Sequence, residues 1–86
     1  MATRTSRRKV EFASPFTLKP IDGTLPAGSY DVEVDEEELV GMHSSGFVRI
    51  ATLFTVERGG ISRVYRVQAA DLDAALIGDG QPPLQR

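Results

Sequence analysis

The chain reads as a mainly β domain (α+β at the margin). It should be a small, strongly bent antiparallel sheet or partly open barrel or roll, closed by a short C-terminal helix. Three stretches predict this. Between Ser29 and Asp35, the residues Tyr30, Val32 and Val34 alternate with Asp31, Glu33 and Asp35, the period-two pattern of a half-buried strand. Gly46 to Arg58 is a longer run of the same kind, and Gly59-Gly60 separates it from another alternating run. Helical spacing appears only near the end, where Leu72, Ala75 and Leu76 form one stripe.

Residues 1–7 are small, polar or basic and show no periodicity, so they read as a mobile basic arm. Val10 and Phe12 alternate with Lys9 and Glu11 in a short first strand, which Ser14-Pro15 breaks. Phe16 and Leu18 alternate with Thr17 and Lys19 in a second. Pro20 and Asp22-Gly23 end that one, because proline lacks the ladder donor and Asp-Gly favours a turn. Leu25-Pro26-Ala27-Gly28 then turns the chain into the central strand. Asp35-Glu36-Glu37-Glu38 has the form of a helix start, with Asp35 as N-cap and Glu38 at the capping-box position. It predicts one helical turn over Glu36–Val40, and a loop from Met42 to Gly46.

The run from Gly46 to Arg58 would span roughly 40 Å at ~3.3 Å per residue, too long for so small a domain, so it should bend, twist or bulge. Alternation assigns Val48, Ile50, Thr52, Phe54 and Val56 to the inner face, and Phe47, Arg49, Ala51, Leu53, Thr55 and Glu57 to the outer. A two-residue turn at Gly59-Gly60 sets Arg58 opposite Ile61. Counting back, Phe54 faces Tyr65, Thr52 faces Val67 and Val56 faces Arg63 inside, while Leu53 faces Arg66 and Thr55 faces Val64 outside. Asp71 and Asp73 lie in the first turns of the final helix, where acids are favourable, and Gly78 is placed to end it. Residues 79–86, with Pro82-Pro83, read as a flexible tail. The domain proper is therefore 8–78.

The chain has 86 residues, enough for one small domain. A hydrophobic share of 41% supports a folded core, but a chain this short buries only ~60–65% of its unfolded surface, so that core is thin. It has no cysteine, which excludes disulfides and thiolate metal sites. No apolar run approaches the ~20 residues of a membrane-spanning helix. Ser6-Arg7-Arg8-Lys9-Val10 resembles the start of a twin-arginine export signal, but Glu11, Pro15, Lys19 and Pro20 stand where an apolar region should follow. The protein is expected to be cytoplasmic. Charge is segregated along the chain: Arg4, Arg7, Arg8 and Lys9 are basic, Asp22 to Glu38 carries only acids, and Arg49, Arg58, Arg63 and Arg66 follow.

Candidate chemistry is sparse. His43 is flanked by Ser44 and Ser45, but adjacent loop residues seldom reach triad geometry and no Gly-x-Ser-x-Gly elbow is present. The acidic cluster lacks the alternating oxygens of a calcium loop, so a solvated acidic face accounts for it. Gly59-Gly60 lacks the lysine and helix of a phosphate loop. No cofactor is implied, and an enzyme is not expected. Arg4, Arg7, Arg8 and Lys9 are candidate nucleic-acid contacts, giving a weak, salt-sensitive attraction that the acidic face would oppose. Phe47, Leu53 and Val64 are apolar where the outer face should be wet, and are the candidate interface. Leu72 and Leu76 of the helix could cover part of that face.

The segments PFTLKPIDGTLPAGSYDVEVDEEEL, FVRIATLF and DLDAAL resemble a family of short uncharacterised proteobacterial proteins. Members of that family often carry Asp-Pro before the last helix. Here Gln68-Ala69-Ala70 stands in its place, a less marked helix start. The resemblance implies a complete single domain and carries no activity, cofactor or site residues. The residues themselves point to a protein-interaction module, self-associating through a homodimer, with nucleic-acid binding by the basic arm as the alternative.

Overall fold

The computed structural model describes residues 3–41 and 45–84. Within them run four strands, β1 (Thr3–Phe12), β2 (Gly28–Val40), β3 (Ser45–Arg58) and β4 (Ile61–Val67), and then a helix, α1 (Ala69–Gly78). The strands form one antiparallel sheet in the order β1-β2-β3-β4. The sheet stays open, with β1 and β4 as its borders. Gly59 and Gly60 have φ of 56° and 79°, as a two-residue turn of type I′ requires. The expected register follows: Phe54 faces Tyr65, Thr52 faces Val67 and Thr55 faces Val64.

One face of the sheet is the core. Val10, Phe12, Val32, Val34, Phe54, Val56 and Val67 are buried there under Leu72 and Leu76 of the helix and under Phe16, Leu18 and Leu25 of the β1–β2 connection. That connection is not a second strand. It makes a single bridge, Phe16 to Leu25, with N–O distances of 3.0 and 2.7 Å, and a turn closed by the Ile21 amide on the Leu18 carbonyl at 2.8 Å. Its purpose is aromatic packing. Phe16 stacks on Phe12 at 3.6 Å and stands edge-on to Tyr30 and Phe54 at 5.3 and 6.2 Å.

Two expectations about the ends are corrected. Residues 3–7 are not a mobile arm but half of β1, paired from Thr3↔Glu37 to Arg7↔Glu33. Residues 79–84 are not a loose tail. The Asp79 carboxylate accepts the amides of Ala13 and Ser14 at 2.7 and 3.0 Å, the Leu84 amide donates to Asp73 at 2.9 Å, and Leu84 packs against the core. Gly78 is the last residue of the helix, as expected, but the left-handed residue that closes the turn is Gly80, with φ 83°, while the Gln81 and Gly80 amides bond the carbonyls of Leu76 and Ile77. At the other end, Gln68 caps α1 without a side-chain bond.

The acidic run is strand as well, with no helical turn over Glu36–Val40. Local capping lost to cross-strand partners: the Thr5 hydroxyl donates to Asp35, and Arg4 holds Glu36. Of the loop expected over Met42–Gly46, Ser45 and Gly46 belong to β3, and Met42–Ser44, His43 among them, lie outside the described residues.

Candidate interaction surface

The long strand bulges, and the bulge decides which side chains share a face. Asp35 faces Ala51, but the next residue, Glu36, faces Arg49, leaving Ile50 as the extra residue of β3. The alternation of β3 therefore flips. Thr52, Phe54 and Val56 lie inward as expected, whereas Val48 and Ile50 are 41% and 43% exposed and not in the core. The guanidinium of Arg66 donates to the Ile50 carbonyl at 2.8 Å, which satisfies an acceptor at the bulge.

Phe47 and Arg49 move to the inner face. Phe47 pairs with Glu38 and lies beneath Arg4, whose guanidinium carbon is 3.8 Å from its ring centroid. Phe47 is thus removed from the expected interface. Leu53 and Val64 stay on the outer face, beside Arg66 and Thr55 respectively, with Val64 61% exposed. The helix lies on the opposite face, because Leu72 and Leu76 pack into the core, and it covers neither of them. Val48 adds to this outer strip, and Ile50 is exposed at the bulge. Of the β4 arginines, Arg66 is outward, opposite Leu53, and Arg63 shares the inner side with Val56.

The basic residues are folded against acids. Arg4 pairs with Glu36 at 2.8 Å, Arg7 with Glu33 at 3.4 Å and Lys9 with Asp31 at 3.6 Å. Arg8 is opposite Val32, half-buried. These pairs form because bases at 4, 7 and 9 meet acids at 36, 33 and 31 in antiparallel order. That complementarity was present in the sequence and is the signal by which β1 could have been extended to Thr3. Glu36 is 2% exposed, and its Oε2 has no hydrogen-bond partner among the described residues, nor has the buried Nε of Arg49 opposite it.

The depressions on the surface are open. One of about 550 Å3 runs over the Arg7–Glu33 and Lys9–Asp31 pairs to Thr55. Another, of about 620 Å3, lies between the Pro20–Asp22 turn and the inner side of the hairpin at Val56, Arg58, Ile61, Arg63 and Tyr65. Tyr30 donates its hydroxyl to the Pro26 carbonyl, and burial raises its pKa above the ordinary 10.0 while Arg58 partly opposes this. Among the described residues no group of three or more histidine or acid side chains is placed to hold a metal ion, and no helix is long and apolar enough to cross a membrane. No family model, curated protein or solved structure matches the chain.

Proposed function

We propose that this protein is a non-enzymatic interaction module that associates with copies of itself, using the outer face of the sheet where it meets β4. The observation that carries this reading is the exposure of Val64, beside Leu53, on the face away from the helix. So thin a domain has one core, and it lies on the other face. Apolar area left in water forgoes about 25 cal/mol per Å2, which association would recover. Sedimentation from low to high micromolar concentration should show mass rising with concentration. A Leu53→Glu/Val64→Glu double variant should stay monomeric with an unchanged circular dichroism spectrum. A wild-type chain that remains monomeric throughout would defeat the reading.

Nucleic-acid binding by the basic residues ranks second. Phosphate contacts gain affinity by releasing counterions, and Arg4, Arg7 and Lys9 are already neutralised by acids of β2. The wild-type chain should therefore show no salt-sensitive retention on nonspecific DNA or RNA.

A further inference from the structure

The two borders of the sheet differ. β1 carries Arg4, Arg7, Arg8, Lys9 and Glu11, whereas β4 carries Arg63 and Arg66 alone, and a more densely charged edge opposes pairing with another strand more strongly. β4 has the sequence ISRVYRV, with no proline and an unbroken register against β3. Ile61 and Val64 on it are 62% and 61% exposed. Its free backbone groups follow from the turn. In a two-residue hairpin the pair flanking the turn exchanges both backbone bonds, and bonded pairs alternate from there. Ile61, Arg63, Tyr65 and Val67 therefore bond to β3, while the amides and carbonyls of Ser62, Val64 and Arg66 point to the open border.

We infer that a second copy of this chain docks on that border, β4 against β4, antiparallel, with Val64 facing Val64 of the other copy. This rests on the self-association proposed above and adds its mode. The occupant is argued from the register. With Val64 at the centre, Arg63 faces Tyr65 of the second copy and Arg66 faces its Ser62. Ile61 faces its Val67. No arginine opposes an arginine, and Arg63 meets an aromatic ring on its own side of the sheet. Moving the centre to Arg66 would set two arginines directly opposite each other. Moving it to Ser62 would leave Val64 against the glycine turn. The favoured register joins the Leu53–Val64 strips of both copies into one apolar band across a continuous sheet.

The test is Val64→Pro beside Leu53→Glu, each in the full chain. Proline at position 64 removes a donor aimed at the border and leaves the bonds to β3 in place. It should weaken association about tenfold or more with β3–β4 still formed. Leu53→Glu, one strand away from the border, should weaken it less. Hydrogen exchange gives a readout independent of either variant. The Ser62, Val64 and Arg66 amides of the wild type should gain protection as concentration rises, while those of Arg63 and Tyr65 are protected throughout. Association lost in Leu53→Glu but kept in Val64→Pro, or a dimer whose border amides stay unprotected, would overturn edge pairing and leave self-association standing. A wild-type monomer at every concentration would remove both.

Discussion

Arg4 Nε donates to Glu36 Oε1 at 2.8 Å across β1 and β2, and the same guanidinium covers the ring of Phe47 on β3. One side chain of β1 thus ties three strands together. Removing it leaves a buried carboxylate without its partner. Arg4→Ala should destabilise the fold by about 1–3 kcal/mol in urea unfolding. Arg7→Ala breaks a pair whose arginine is largely exposed, and should cost no more than ~0.5 kcal/mol. Equal losses from the two variants would contradict this difference.

The hairpin turn has a sharper requirement. Gly60 has φ of 79°, where a β-branched residue is strained, although nothing within 4 Å would obstruct an added Cβ. Gly60→Val should therefore cost more than ~1 kcal/mol through backbone strain alone. A variant as stable as the wild type would mean that the turn has another form.

Both ends contribute to stability. Asp79→Ala frees the Ala13 and Ser14 amides, and we expect a loss of about 1–2 kcal/mol. Deleting residues 80–86 removes Gly80 and Leu84 together and should lower the melting temperature by several degrees. An unchanged melting temperature after that deletion would show the C-terminal contacts to be idle.

Tyr30 gives a signature at high pH. Its folded-state pKa is raised, first by burial, with Arg58 opposing. The folded state therefore keeps its proton after the unfolded chain has lost it, and stability should fall as pH rises above about 10. Tyr30→Phe should flatten that decline while forfeiting the bond to Pro26, at about 1 kcal/mol near neutral pH. Denaturant unfolding at neutral and alkaline pH checks both signs, and an unchanged alkaline slope in the variant would contradict the assignment.

The mainly β class, the central strand, the β3–β4 register and the final helix were legible in the sequence because each rests on local terms. Period-two alternation sets which side of a strand is dry, and Gly59-Gly60 permits one tight turn, so Phe54 must meet Tyr65. The candidate surface was legible only in part. Leu53 and Val64 followed from that register, but Phe47 did not, because one extra residue at Ile50 turns everything before it to the other face. Whether a strand bulges, and where, depends on its partner strand. The same holds for the ends of the chain. Residues 3–7 have no pattern of their own and become strand because the acids of β2 offer them charge partners about thirty residues away. Asp35 and Glu38 carried a sound local signal for a helix, and pairing with β1 and β3 overrode it. Short-range sterics and side-chain period were thus fixed by the sequence alone. Tertiary pairing decided faces beyond the bulge, because only long-range contacts supply those energies.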